Sequence, residues 1–319
     1  MARTLRHGRL LAALLWLSSA TAAAAQQTPP PPDPPQPVVL DFTIDSGRMT
    51  VPVMVDGQGP FGFVIDTGAD RTVVSRELAA RLRLPPGEPG RLFDFVGVSD
   101  VATVRVRALA VSDLPARSID APALDWVHLG AAGMLGIDAL QDHKVAIDFP
   151  RNRIEVKPSR KRYVPGQVVV AAEQRAGQLI VTQAWFQGQP IAVIVDTGSW
   201  VTVGNHAMLA LANKPPRKLG LISVTSVTGR SFTADLNTVN DLKIGGVRLD
   251  NVGISFVDVA PFERFGLRDT PALILGMSTL KLFRRVEIDF ANREIAFTLP
   301  RPPISFATAC RSYSNCTNY

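Results

Sequence analysis

The sequence predicts a predominantly β fold with short helices, arranged as two similar lobes. Three observations lead to it: the chain contains itself twice, each copy consists of short apolar runs bounded by turn residues, and the helical signals are brief and capped. Self-similarity is weighed first, because a repeat decides how every other motif is read. The segment "GPFGFVIDTGADRTVVS" at residues 59–75 finds its partner in "QPIAVIVDTGSWVTVGN" at 189–205, so Asp66-Thr67-Gly68 matches Asp196-Thr197-Gly198. "GMLGIDAL" at 133–140 matches "LILGMSTL" at 273–280, and "VAIDFPRNRIEV" at 145–156 matches "VEIDFANREIAF" at 286–297. The three pairs keep their order at offsets of 130, 140 and 141 residues, which chance likeness of short strings does not preserve.

The ends of the chain stand apart from this repeat. Arg3, Arg6 and Arg9 form a basic start, residues 10–17 an apolar run, and "TAAAA" offers small residues for cleavage after Ala25. That is the order of a secretory signal peptide over residues 1–25. Its apolar part is well short of the roughly 20 residues a membrane span needs, and no other segment comes close. Residues 26–37, "QQTPPPPDPPQP", favour extended polyproline and read as a linker. The first lobe is expected over residues 38–157, an interlobe linker over 158–166, the second lobe over 167–300, and a polar tail over 301–319.

Within each lobe the elements read mostly as strands. Residues 51–55, the turn pair Asp56-Gly57 and residues 61–65 form one hairpin; residues 179–186, a turn at Gly188 and residues 191–195 form its counterpart. The runs "FVI" and "VIV" before the two aspartates are continuously apolar, as in strands buried on both faces. After each D-T-G comes a short helix, with Ser75 able to cap "RELAARL" and Asn205 able to cap "HAMLALA". Alternation over residues 247–256, after Gly245-Gly246, reads as a later hairpin.

A single aspartate at the end of a buried strand usually accepts backbone amides in a turn. Two copies related by a pseudo-twofold axis would instead bring Asp66 and Asp196 face to face. Two carboxylates sharing one site do not both ionise easily, so their titrations couple and one proton is shared. Such a pair supplies a general base and a general acid together.

The doubled D-T-G, each followed by an apolar-apolar-glycine element ("MLG" at 134–136, "ILG" at 274–276), resembles the aspartic peptidases. "DTGAD" is similar to the retroviral subtype and "ILGMSTL" to bacterial retropepsin-like proteins, and the resemblance covers about residues 38–299. It implies an acid-protease fold, two pseudo-twofold-related β-barrel-like lobes with a cleft between them. It implies an aspartic endopeptidase that hydrolyses peptide bonds with water activated between two coupled carboxylates, on a peptide or protein substrate, with no cofactor and no metal. By the same resemblance Asp66 and Asp196 are the catalytic pair. Thr67 and Thr197 bond across to the opposite loop, Gly68 and Gly198 let backbone amides approach the carboxylates, and Gly136 and Gly276 let a strand cross beneath each loop.

Because one chain carries both halves, a monomer is expected, with a site assembled in a homodimer and a non-catalytic peptide-binding module as alternatives. With the signal peptide, the resemblance places the protein in the bacterial periplasm or outside the cell. Glycine-bearing flap candidates are residues 93–104 and 224–234. Asp138 stands after "LGI", where the viral pattern has an arginine following the glycine, so the partner of Asp70 is left open. Ala69 follows the first D-T-G and Ser199 the second; the Ser199 hydroxyl is expected to donate to Asp196, favour its charged form and leave the proton on Asp66.

The remaining chemistry is sparse. Removing the three leader arginines takes the formal charge from +6 to +3, and the basic run at 151–165 is broken by Pro158 and has no interleaved aromatics, so no nucleic-acid partner is expected. His128, His143 and His206 lack metal-ligand spacing. Trp126, Trp185 and Trp200 read as packing residues, Trp200 within reach of the cleft floor. Cys310 and Cys316 could close a small disulfide loop in an oxidising compartment, or remain free thiols.

Overall fold

The computed structural model describes residues 38–300, apart from residues 42, 46–47, 112–114, 142, 160–163 and 176. The expected signal peptide and linker, and the tail with Cys310 and Cys316, lie outside the described residues. Both leading hairpins close through turns with two positive φ values. Asp56 and Gly57, at 47° and 76°, join Arg48–Val55 to Gln58–Ile65, and Gln187 and Gly188, at 49° and 82°, join Gln178–Phe186 to Gln189–Val195. This turn has the twist that matches right-handed flanking strands, and glycine at its second position accepts it without strain.

The second strand of each hairpin runs into an aspartate. Phe63, Val64 and Ile65, like Val193, Ile194 and Val195, are buried. The reason is a strand from the far end of the same lobe lying parallel alongside, Gly133–Leu135 in the first and Ala272–Leu275 in the second. Those inserted strands also pair antiparallel with Val73–Ser75 and Val203–Gly204, the segments that leave the aspartate loops. Each loop is therefore held on both sides by one strand brought back from about 70 residues away.

In the first lobe six strands close into a barrel: Arg48–Val55, Gln58–Ile65, Gly133–Leu135, Val73–Ser75, Arg117–Leu124 and Thr103–Val111, which returns to the first. In the second, Gln178–Phe186, Gln189–Val195, Ala272–Leu275, Val203–Gly204, Val252–Phe256, Ser231–Val239 and Arg217–Thr225 follow one another in a larger sheet. The result is an all-β, acid-protease-like architecture of two lobes with short helices. The lobes join at their base, where His143–Asp148 pairs antiparallel with Arg285–Asp289. Buried acids there are paired with half-buried cations, Asp289 with Lys144 at 3.2 Å and Glu287 with Arg285 at 2.9 Å, as charges withdrawn from water must be.

The caps form where the sequence suggests. Ser75 Oγ accepts from the Leu78 N–H at the start of Arg76–Leu82, and Asn205 Oδ1 accepts from the Met208 N–H. The second helix, however, is the single turn His206–Leu209 rather than all of "HAMLALA". The Asn213 N–H turns to Gln187 Oε1 at 2.7 Å, and Pro215-Pro216 cannot extend a helix. No described helix is long and apolar enough to cross a membrane.

Candidate active site

The two D-T-G loops meet at the lobe interface through reciprocal threonine bonds. Thr67 Oγ1 donates to the Val195 carbonyl at 2.9 Å and accepts from the Thr197 N–H at 3.1 Å. Thr197 Oγ1 donates to the Ile65 carbonyl at 2.8 Å and accepts from the Thr67 N–H at 3.1 Å. Both threonines are buried, 2% and 4% exposed, so each bond replaces water that is not available there. The glycines that follow lie against the opposite carboxylate. A Cβ on Gly198 would stand 2.1 Å from Asp66 Cγ, and one on Gly68 would stand 2.7 Å from Asp196 Cγ. Asp66 and Asp196 thus sit on the two sides of one contact, and both line the same cavity of about 410 Å³.

Backbone amides reach the carboxylates from their own loops. Asp66 Oδ1 accepts from the Gly68 N–H at 2.8 Å, and Asp196 Oδ1 accepts from Gly198 at 2.8 Å and Ser199 at 3.1 Å. The Ala69 N–H goes instead to the Asp66 backbone carbonyl, at 3.4 Å. The Ser199 hydroxyl does not donate to Asp196, contrary to the sequence expectation: Oγ points to the Val201 carbonyl at 3.0 Å. At position 199 the backbone amide supplies the contact that the side chain was expected to make, because the loop bends the hydroxyl back onto its own next turn.

Under each loop the inserted strand ends in a glycine with no room for a side chain. A Cβ on Gly136 would meet the Arg71 carbonyl carbon at 2.6 Å, and one on Gly276 the Val201 carbonyl oxygen at 2.3 Å. The Gly136 N–H donates to Thr72 Oγ1 and the Gly276 N–H to Thr202 Oγ1, both at 3.1 Å. Asp138 holds the first of these threonines, accepting from its N–H at 2.9 Å and its hydroxyl at 2.7 Å. Asp70 is paired with Arg264, which comes from Ala260–Arg264 in the second lobe.

Two hairpins cover the cleft. Gly90–Asp94 and Gly97–Val101 form a two-stranded sheet of their own; Arg217–Thr225 and Ser231–Val239 extend the sheet of the second lobe. Each tip is seated on the other lobe. Phe95 packs against the second-lobe cluster containing Ile194, Phe262 and Ile274, and Val227 packs against the first-lobe cluster containing Val64, Leu129 and Met134. The tips also bond to each other: Asp94 accepts from the Thr228 hydroxyl and, at 3.0 Å, from Arg230. Burial pushes the Asp94 carboxyl up, but hydrogen bonds from Thr228, the Val96 amide and Ser226, with the Arg230 charge, outweigh it and hold the group below the usual carboxylate range.

The family model described as "Aspartyl protease" matches residues 51–139 and 182–279, more than half of the chain. The chain belongs to the aspartyl protease family. Among curated proteins none matches it. The two matched stretches hold one D-T-G loop and one inserted strand each, so the family pattern falls on the residues described above.

Among the described residues no group of three His, Cys, Asp or Glu side chains is placed to hold a metal ion. Trp200 lines the cleft, as its place four residues past Asp196 suggested, and is 40% exposed with Lys281 Nζ 4.4 Å from its ring; Trp126, 45% exposed, is not the packing residue expected of it. Sequence reasoning passed over Thr72 and Thr202, although both stand six residues after an aspartate in the aligned repeats. It also passed over Arg264, and within the flap candidates 93–104 and 224–234 it did not single out Phe95 or Val227, whose partners lie on the opposite lobe and leave no local pattern.

Proposed function

We propose that the protein is an exported aspartic endopeptidase acting as a monomer, with lobes over residues 38–157 and 167–300 descended from one duplicated unit. Asp66 and Asp196 hold a water between them; the charged carboxylate takes its proton as the water attacks a peptide carbonyl, and the protonated carboxyl donates to that carbonyl oxygen. The observation that carries the reading is the reciprocal contact of the two D-T-G loops, in which each glycine packs on the opposite carboxylate and each threonine bonds the opposite backbone. A peptide-binding surface alone has no need of that registry.

The amides favour one distribution of the proton. Two N–H donors on Asp196 Oδ1 stabilise its charged form, while the amide equivalent to the second is turned away from the Asp66 carboxylate. On this difference between the loop amides we propose Asp196 as the base and Asp66 as the acid. The signal-peptide pattern read from residues 1–25 supports work in the periplasm or outside the cell. The test is hydrolysis by Asp66→Asn and Asp196→Asn beside the parent, with thermal unfolding measured on all three. Loss of peptide cleavage in both, with the fold retained, is expected; cleavage that persists in either variant would remove the pair from the mechanism.

A further inference from the structure

The two ends of the cleft differ in charge. Four residues after the aspartates stand Asp70 in one loop and Trp200 in the other, and both line the cavity. Around Asp70 the walls carry three guanidinium groups. Arg264 pairs with Asp70 and lies 4.3 Å over the Phe93 ring; Arg91 lies 5.8 Å from the same ring; the Arg71 guanidinium packs against the backbone at Gly90 and donates to the Asp120 carbonyl. All three line the cavity together with Phe93. Arginine stays cationic in proteins, so three positive charges line this end beside Asp70, while Asp94 and the pair Asp66 and Asp196 line the same cavity.

Of the other acids nearby, Asp94 also lines the cavity, whereas Asp120, Glu88 and Asp100 do not. Asp120 is paired with Arg105 at 3.0 Å and also feels the Arg71 charge, so Arg71 contributes least to the excess; Glu88 acts on Arg105. Asp94 is occupied by Thr228 and Arg230. Asp100 stands across the hairpin from Arg91, yet does not line the cavity, and the described contact of the Arg91 guanidinium is with the Phe93 ring. At the other end Trp200 presents a neutral ring, with Lys281 against it. An exposed guanidinium beside an aromatic ring, facing a cleft, is a pre-arranged carboxylate acceptor with two parallel N–H donors.

Resting on the peptidase reading, we propose that this end of the cleft selects a peptide carrying a carboxylate on one side of the scissile bond, with Arg91 as the main specificity-determining residue and Arg264 as its neighbour. The carboxylate comes from an Asp or Glu side chain or from the C-terminus of the peptide, and the two sources separate by experiment.

An array of peptides in Glu and Gln versions, each with a free and an amidated C-terminus, is probed with the Asp66→Asn protein and with the same protein carrying Arg91→Gln. Arg248→Gln, which removes the same charge away from the cleft, is the control. Glu versions are expected to be retained about fivefold over Gln versions at low salt, the equivalent of an exposed ion pair. The preference should fall away in Arg91→Gln and at high salt and persist in Arg248→Gln. A preference that vanishes on amidation assigns the carboxylate to the C-terminus. Equal retention of Glu and Gln peptides in both C-terminal forms, or a preference unchanged by Arg91→Gln, overturns the proposal. Cleavage profiling of the parent protein is run alongside: acidic residues should be enriched on one side of the cut only. If the parent cleaves nothing while the array still sorts carboxylates, the peptidase reading falls and the carboxylate site stands; cleavage without side preference and an indifferent array give the reverse.

Discussion

The two D-T-G loops share one frame and differ inside it. Their threonines exchange the same four bonds at 2.8–3.1 Å, yet the glycines do not have equal room. The space for a Cβ at Gly198 is 2.1 Å from the Asp66 carboxylate, against 2.7 Å for Gly68 and Asp196. The difference teaches that the backbone registry is kept symmetric while the fit around each carboxylate is set separately. Gly198→Ala should therefore displace Asp66 further than Gly68→Ala displaces Asp196. A misplacement near 1 Å costs about 10²-fold in rate, so Gly198→Ala is expected to lose about that much kcat/KM and Gly68→Ala less, with the melting temperature checking that both fold. Equal activity in the two variants would show that the loops relax alike and that the unequal packing has no consequence.

The flaps extend the comparison. The first is an isolated hairpin whose tip depends on the other lobe, through Phe95, through the Ala260 N–H on the Phe95 carbonyl, and through Asp94; the second is anchored in its own sheet by pairing with Val252–Phe256. Asp94 also accepts from the Val96 and Gly97 amides, so Asp94→Ala undoes the turn and the cross-flap bonds together. A loss of about 1–3 kcal/mol is expected in urea unfolding at pH 7. Arg230→Gln, which removes a charge that is 39% exposed, should cost less, about 0.5 kcal/mol. The Asp94 carboxyl lies below its ordinary 3.8 in the folded protein, so its stabilisation is present above 3.8 and is lost as the pH falls through the lower folded value. The gap between parent and Asp94→Ala should stay constant from pH 7 to about 5 and close only below 3.8; a gap that closes near neutrality would assign it to another group.

Much of this was legible in the chain because the repeat is local in each copy. "FVIDTG" and "VIVDTG" show a buried strand meeting a turn, and the doubled motif implies the facing loops before any coordinate is known. The caps at Ser75 and Asn205 follow from side chains that reach three residues ahead. What could not be read depends on contacts between lobes. Arg264 has no partner within its own helix that would announce it, and Phe95 and Val227 look like ordinary hairpin residues until each is seen on the other lobe. The Ser199 expectation failed for a different reason: residue identity shows that a donor exists, but only the bend of the loop decides where the hydroxyl points.

That bend gives the smallest expected effect on the reaction itself. With the Ser199 hydroxyl on the Val201 carbonyl, Ser199→Ala removes one partly buried neutral hydrogen bond, a loss of about 0.5–1.5 kcal/mol in stability. The donor to Asp196 at this position is the backbone N–H, which alanine keeps. The acid limb of the pH–rate profile should therefore stay in place in Ser199→Ala, even though the loop becomes like its partner, which has Ala69 there. If the hydroxyl did donate to Asp196, its removal would destabilise the charged form and move the acid limb upward. An upward shift in Ser199→Ala would return the proton asymmetry to the side chain; an unmoved limb, with a small stability loss, leaves it with the direction of two amides, Ser199 toward its carboxylate and Ala69 toward its backbone.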